Sequence, residues 1–280
     1  MTKLLRAELY RLRKTKLFWV CATAMAFYGL AVCLGLRHSM HLNGTEIPLE
    51  NVWIQGYGLS GFVAIPGLLL AALCSVFVGT EYSDGTIRNK IIVGHTRTTV
   101  YWTGYLTCAV SSLLLSLIYT LVVLAVGIPI FGFFQASAAA LLQLALCGTV
   151  MLLSYAAIFH LTATLLQSKT AAAIVNLLGV IVSMFLCLYL LARIAEPATI
   201  EALEIVRGEP VWKSIPNSRY LNEAVRAVYQ FLIDLLPSGQ SLQLSRMSAP
   251  HLWQMALYGV AIMILSPLAG AFAFQKKDLK

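Results

Sequence analysis

Charged side chains are scarce in this sequence and are missing altogether from five long stretches. Asp, Glu, Lys and Arg make up 11% of the 280 residues, whereas an average soluble domain contains about 25%. The stretches without any of them are 17–36, 51–80, 98–168, 170–192 and 247–275. A helix that crosses about 30 Å of hydrocarbon needs about 20 consecutive apolar residues. A soluble domain of this length could not enclose five such stretches, so we expect a membrane protein.

The longest uncharged stretch is long enough for two spans and a hairpin. Pro129, Gly132 and Gln135 interrupt its apolar pattern and place the break there. The first stretch is too long for a signal peptide and offers no small-residue cleavage site at Leu36-Arg37-His38. The sequence therefore predicts an all-α polytopic membrane protein, with Pro66 kinking the second of six spans. The predicted spans are 17–36, 57–80, 101–131, 138–166, 171–192 and 252–274.

Several kinds of chemistry are absent from the spans. None contains Asp, Glu, Lys or Arg, which argues against a proton-coupled transporter or an ion pump. An intramembrane enzyme would need paired aspartates, an HExxH motif or a serine with a base, and His160 does not share the helical face of Ser154. The six cysteines lie inside spans as packing residues, and His38 and His41 lack a third metal ligand. We expect no enzyme, metal site or cofactor.

ATP binding is not expected either. The chain has no GxxxxGK[ST] loop, whose glycine amides and lysine would hold the phosphates. The stretch LPSGQSL at 236–242 superficially resembles the signature motif of ABC ATPases, but it falls on the predicted outer side. Any ATP-derived energy must come from a partner.

The basic residues predict how the chain is oriented, because Lys and Arg concentrate in short cytoplasmic loops. Thirteen lie on one side when both termini are cytoplasmic. They are Lys3, Arg6, Arg11, Arg13, Lys14, Lys16, Arg88, Lys90, Arg97, Lys169, Lys276, Lys277 and Lys280. The net charge of +8 is thus an orientation signal rather than evidence for nucleic-acid binding. We expect a multi-pass protein of the cell membrane, of the bacterial plasma-membrane type.

Two segments outside the spans are predicted to be helical. Residues 2–16 place Leu5, Leu9 and Leu12 on one face, with basic residues around the rest, as in a helix that lies in the lipid headgroup layer. In the long external segment 193–250, TIEALEIVRGE (199–209) and NSRYLNEAVRAVYQFLIDLLPSG (217–239) both favour helices, the second ended by its final Pro-Ser-Gly. We expect a small helical cap that packs on the membrane, guards an exit or binds substrate.

The most informative polar stretch is residues 81–97, EYSDGTIRNKIIVGHTR, which we call the coupling segment. Asp84-Gly85-Thr86 is typical of a turn followed by a helix start, Gly94 of a helix end, and Thr96 or Thr98 of the next cap. The helix TIRNKIIV between them carries Ile87 and Ile91 on one face and Arg88 on another. Such an exposed apolar face predicts docking into a groove on a soluble partner. Glu81, at the membrane boundary, is expected to pair with a nearby base.

The same stretch carries a family resemblance. Glu81-x-x-x-Gly85-Thr86-Ile87-Arg88-Asn89, followed by Gly94-x-x-Arg97, resembles the cytoplasmic loop of ABC-2 type transporter permeases. The N-terminal LLRAELYRLRKTKLFW is similar to the segment before the first span in that family. The resemblance implies a coupling helix that docks on a separate ATP-binding cassette ATPase, and two permease copies, identical or not, in one assembly. The residues predicted to form the ATPase-coupling site are Glu81, Asp84, Gly85, Thr86, Ile87, Arg88, Ile91, Gly94 and Arg97.

Uncharged spans suit a hydrophobic or amphipathic cargo better than an ion. We also expect the protein to contact membrane lipid. Among similar exporters, antimicrobial peptides and lipid-like compounds are common cargo, which implies export for self-protection. The leading hypothesis is therefore the permease subunit of an ATP-driven exporter. The alternatives are a non-transporting membrane sensor or scaffold that docks the ATPase, and an intramembrane enzyme.

Overall fold

The protein folds into a bundle of long helices with a short β-hairpin on one connection. The computed structural model describes residues 1–58, 64–206 and 209–277. In chain order, the helices are α1 (Thr2–Lys14), α2 (Lys16–Asn43), α3 (Leu49–Trp53), α4 (Ile65–Ser83), α5 (Thr86–Ile92), α6 (Arg97–Phe131), α7 (Ala138–Leu166), α8 (Lys169–Ile194), α9 (Glu223–Leu235), α10 (Pro237–Ser245) and α11 (Leu252–Lys276). The strands are β1 (Thr199–Val206) and β2 (Glu209–Pro216).

Six of these helices are long and apolar enough to cross a membrane, namely α2, α4, α6, α7, α8 and α11. The prediction of a polytopic helical membrane protein with six spans is confirmed. Helices dominate because a backbone in hydrocarbon must satisfy its own hydrogen bonds, which an α-helix does within one segment. Which side of the membrane each end of the bundle faces stays a prediction.

The second span differs most from its predicted bounds. The sequence places it at 57–80, whereas α4 begins at Ile65, and residues 59–63 lie outside the described part of the chain. The kink predicted at Pro66 is wrong, because Pro66 lies in the first turn of α4. Proline is well tolerated there, since the first turn needs no donor from its backbone nitrogen. Before α4, the short helix α3 and a 3-10 turn pack as a buried wedge against α6.

Helix α7 lies at the centre of the bundle, where it contacts α4, α6, α8 and α11, while α2 packs along α6. A small residue allows α4 and α8 to approach closely, because a Cβ atom on Gly79 would lie 2.4 Å from the Cα of Lys169. Asn176 forms hydrogen bonds between helices. Its amide donates to the Ser75 hydroxyl at 2.7 Å, and its carbonyl accepts from Thr162.

The prediction that residues 199–209 form a helix is wrong, because they belong to an antiparallel hairpin. Its register runs from Thr199 opposite Pro216 to Val206 opposite Glu209. Asn217 closes the open end, where its amide donates to the Glu196 carboxylate and to the Pro197 carbonyl, each at 3.0 Å. Segment 193–250 is therefore a mixed structure rather than the predicted helical cap.

The second predicted helix of this segment is present as α9, but its predicted ending is wrong. Pro237-Ser238-Gly239 begins the next helix, α10, instead of closing α9. All nine residues of α10 are buried, in a position between α7, α8 and α9. Its polar residues have partners on those neighbours, since the Ser238 hydroxyl lies 2.7 Å from the hydroxyls of both Tyr155 and Ser183.

Candidate functional site

The coupling segment forms a tight turn and a short helix between α4 and α6. Gly85 adopts a φ of 66°, a left-handed conformation that residues with a Cβ atom rarely take. Thr86 closes the turn by donating its hydroxyl to the Glu81 carbonyl at 3.2 Å. Gly94, with a φ of 102°, ends the segment's helical part, and the Thr96 hydroxyl then accepts from the Thr99 amide at 3.3 Å and caps α6. These residues fix where α5 lies without needing a partner.

The two faces of α5 differ from the prediction. Ile87 is 4% exposed, because it packs with Leu4 of α1 and Phe274 of α11 in a small apolar cluster, and Ile91 lies at the edge of that cluster. The chain thus covers the apolar face that was expected to bind a partner, so that expectation is wrong for Ile87. The exposed apolar residues are instead Ile92 and Val93, each 79% exposed, at the end of the helix.

Beneath α5 lie four charged side chains that we call the ionic cluster: Glu8, Arg11, Glu81 and Lys90. Arg11 contacts the Glu8 carboxylate at 2.9 Å and the Glu81 carboxylate at 2.7 Å, and Lys90 contacts both carboxylates. Both glutamates are buried, at 3% and 5% exposure. Two full cations therefore neutralise two buried anions, which is the condition under which charges are tolerated away from water.

The ionic cluster joins three elements that are separate along the chain. Glu8 and Arg11 belong to α1, Glu81 to the end of α4, and Lys90 to α5. The Arg11 guanidinium also lies 3.8 Å from the centre of the Phe77 ring, so a cation–π contact adds a second tie between α1 and α4. These contacts hold α1, α4 and α5 together at this end of the bundle.

Sequence reasoning found only one member of the ionic cluster, Glu81, and anticipated its basic partner without identifying it. The available signal was Glu8, an acidic residue spaced four positions from both Leu4 and Leu12. These three residues form the buried face of α1 in the structure. The buried face of α1 is therefore shifted by about one residue from the predicted face of Leu5, Leu9 and Leu12. Leu5 and Leu9 are only partly buried.

Arg97 has a structural role at the other end of the segment. Its guanidinium donates to the carbonyls of Phe274, Gln275 and Lys277, at 3.3, 3.1 and 2.6 Å, and so caps the C-terminus of α11. The nearby Gln275 amide donates to the Thr98 hydroxyl at 2.9 Å. Arg97 is thus occupied within the chain, and the structure brings the end of α11 next to the coupling segment.

Three of the predicted site residues lie at the surface. Asp84, Arg88 and Gly94 are exposed. Within the part of the chain that the structure describes, Arg88 makes no ion pair. The surface that α5 presents outward therefore combines Arg88 with Ile92 and Val93, a cation beside an apolar tip. We call these three residues the docking tip. Such a surface can bind a groove that carries both apolar and acidic groups.

Comparison with known proteins assigns the sequence to a family. The full sequence has no significant match among curated proteins. The family model described as ABC-2 family transporter protein matches residues 4–189, which is more than half of the chain and includes most of α1, the ionic cluster and the whole coupling segment. The chain therefore belongs to the ABC-2 family of transporter proteins, as a multi-pass membrane subunit whose family implies an ABC ATPase partner.

Proposed function

We propose that this protein is the permease subunit of an ATP-driven exporter and that the docking tip of α5 binds a separate ABC ATPase. One observation carries the proposal. Ile92 and Val93 are exposed apolar residues on a short helix whose base is fixed by the ionic cluster. Exposed apolar side chains on a rigid support favour binding, because little conformational entropy is lost on docking. The permease itself is proposed to hydrolyse no ATP.

The ionic cluster and Ile87 suggest how movement of the ATPase would reach the spans. A displacement of α5 would pull on Glu81 of α4 and Glu8 of α1 through Lys90. It would also press on α11 through the contact between Ile87 and Phe274. The coupling helix is thus proposed to act as one body with α1 and the ends of α4 and α11.

A second permease copy is proposed to pack against α8. That helix exposes a row of apolar side chains, including Leu178, Val182, Phe185 and Tyr189. Their spacing of three and four residues places them on one face of the helix, which would suit packing against another long helix. The assembly would then hold two permeases and two ATPases, with the coupling segments in the cytoplasm and the protein in the cell membrane.

A cavity beside that face is the proposed contact site for cargo. It has a volume of about 250 Å³ between α7, α8 and the start of α10. Phe159 and Val180 supply apolar walls, and the polar residues Asn176 and Ser183 are already hydrogen-bonded to other residues of the chain. Such a lining suits a hydrophobic or amphipathic compound, such as an antimicrobial peptide or a lipid-like molecule, better than an ion.

The experiment is purification of the tagged protein from native membranes, with identification of any ATPase that carries a phosphate-binding loop. Ile92→Asp and Arg88→Glu change exposed residues, so we expect folded protein that no longer retains the ATPase. Phe133→Asp is the matched control, because Phe133 is 77% exposed in the connection between α6 and α7. The proposal fails if Ile92→Asp retains as much ATPase as the unchanged protein does, or if crosslinking recovers no ATPase.

Reconstitution with the recovered ATPase distinguishes transport from sensing. An exporter moves an amphipathic probe into proteoliposomes only with ATP, and Ile92→Asp should abolish that movement. ATPase activity that responds to the permease without any ATP-dependent movement would instead establish a sensor or scaffold.

A further inference from the structure

A groove on the outside of the bundle combines an apolar floor with a basic rim. It has a volume of about 460 Å³ and lies where α1 turns into α2 beside α6. Leu12 and Phe18 form its buried floor, while Trp19 and Leu114 form partly exposed walls. Arg13 is the single charged residue of the lining. We propose that this groove binds one phospholipid with an anionic headgroup, its acyl chain on the floor and its phosphate beside Arg13.

The shape of the groove suits an acyl chain. On α6, its wall consists of Val110, Leu114 and Ile118, which are spaced four residues apart and therefore share one face. At a rise of 1.5 Å per residue, these three positions extend over about 12 Å along the helix. The groove thus runs lengthwise along a span, in the direction in which an acyl chain lies in a bilayer.

The corner that forms the groove is held in place by hydrogen bonds within the chain. Thr15, which is extended, separates α1 from α2, and its hydroxyl donates to the Arg11 carbonyl at 2.9 Å. The Trp19 indole donates to the Arg13 carbonyl at 2.8 Å and thereby joins the first turn of α2 to the last turns of α1. The chain's own hydrogen bonds therefore hold the groove in shape, so a lipid would lose less binding energy to ordering of the site.

The charges at the rim favour an anion. Arg13 and Lys14 are exposed in the last turn of α1, and Lys16 follows at the start of α2. Among the described residues, none of these three cations is paired with a carboxylate. The one acidic residue of α1, Glu8, is buried in the ionic cluster and so cannot neutralise them. Basic residues next to a membrane attract anionic lipids by about fivefold in affinity per cation.

The test is native mass spectrometry of the purified protein after exposure to nanodiscs containing equal amounts of dioleoyl phosphatidylglycerol and dioleoyl phosphatidylcholine. We expect the protein to retain the anionic lipid preferentially. Arg13→Gln should lower that retention by about fivefold, and Leu114→Trp should abolish it by filling the groove. The matched controls are Lys3→Gln, which removes an exposed cation at the far end of α1, and Leu117→Trp, a lipid-facing position of α6 outside the groove lining.

Three outcomes would overturn the proposal. Equal retention of the two lipids would show that the headgroup charge is not recognised. An equal loss in Lys3→Gln and Arg13→Gln would show general attraction to a basic helix rather than a site. Efficient crosslinking between two copies through a cysteine placed at position 114 would show that a second permease fills the groove. The proposal does not depend on export, and an ATPase-binding failure would leave it intact.

Discussion

Among the described residues, two of the regions that bury carboxylates satisfy them in different ways. In the ionic cluster, Glu8 and Glu81 face two full cations. In the segment between α8 and α11, Asp234 is 2% exposed and accepts hydrogen bonds from the amides of Gln230 and Gln243, at 2.7 and 2.8 Å. Its second oxygen lies 3.2 Å from a ring nitrogen of the half-exposed His251. One region is therefore a set of ion pairs and the other a network built mainly on neutral amides.

The difference shows what each region can tolerate. Removing one member of a buried ion-pair set leaves a charge without compensation, which costs about 3–5 kcal/mol. An amide network loses one hydrogen bond at a time, at about 1–2 kcal/mol each. The ionic cluster thus joins α1, α4 and α5 through charges that depend on one another. The Asp234 network instead holds α9, α10 and α11 in a fixed arrangement.

The largest effect is expected from Arg11→Met, which leaves two buried carboxylates with one amine. We expect a loss of about 3–5 kcal/mol of stability. All six cysteines are buried and unbridged, so the reaction of a thiol-reactive fluorophore on heating measures unfolding. Its midpoint should fall by about 10 °C.

The control for this change is Arg6→Met, an exposed position on the same helix, which should leave the midpoint nearly unchanged. Adding Glu81→Gln to Arg11→Met should recover part of the loss, because one acid and one base would remain. If the double variant is no more stable than Arg11→Met, the ionic cluster is not the source of the stability.

The next largest effect separates the two faces of α5. Ile87→Ala removes a buried side chain from the cluster around Phe274 and should cost about 2–5 kcal/mol. Ile92→Ala removes an equal volume from a position that is 79% exposed, so the unfolding midpoint should stay within about 1 °C. Comparable losses from both would mean that Ile92 is covered and cannot belong to the docking tip.

A smaller effect is expected in the amide network. Asp234→Asn keeps an oxygen for Gln230 and Gln243 but loses the charge that faces His251. We expect about 1–2 kcal/mol, measured by the same thiol reaction. Asp84→Asn, at an exposed carboxylate, is the control and should change stability by less than about 0.5 kcal/mol. A loss as large as that of Arg11→Met would erase the distinction between the two regions.

An effect of similar size is expected from backbone strain at the turn into α5. A Cβ atom on Gly85 would meet nothing within 4 Å, so only its positive φ opposes Gly85→Ala. We expect a cost of about 1–2 kcal/mol, with Gly85→Asn less harmful. Gly35→Ala, at a helical glycine with equally open surroundings, should instead be neutral or stabilising. Equal stability of Gly85→Ala and Gly35→Ala would show that the turn relaxes to a negative φ.

Local signals predicted much of the chain correctly for physical reasons. Gly132 ends α6 with a φ of 80°, and Thr96 caps α6 by accepting from the Thr99 amide. These residues act on backbone groups a few positions away, so their effect can be read without knowing the rest of the fold. The hairpin was missed although Thr199, Ile200, Ile205 and Val206 are β-branched. The intervening Glu-Ala-Leu-Glu favours a helix, and pairing with a second strand overrides that local preference.

The candidate site was predicted only in part because its contacts are distant along the chain. Glu81 meets Arg11 across seventy residues, and Arg97 meets Phe274 in the last turn of α11 across 177 residues. Nothing local indicates such partners. The burial of Ile87 and the exposure of Ile92 follow from where α1 and α11 lie. The hydrophobic pattern of α5 alone does not predict those positions.

The sequence by itself determined that the chain spans a membrane six times, because uncharged stretches of sufficient length can satisfy their backbone in hydrocarbon only as helices. It also determined where a turn and a short helix interrupt those spans, because Gly85, Gly94 and Thr96 act within their own neighbourhood. Only the tertiary structure decided which charges neutralise Glu81 and which side chains of α5 face outward. Those outcomes depend on burial and ion pairing between elements that the chain brings together only when the bundle has formed.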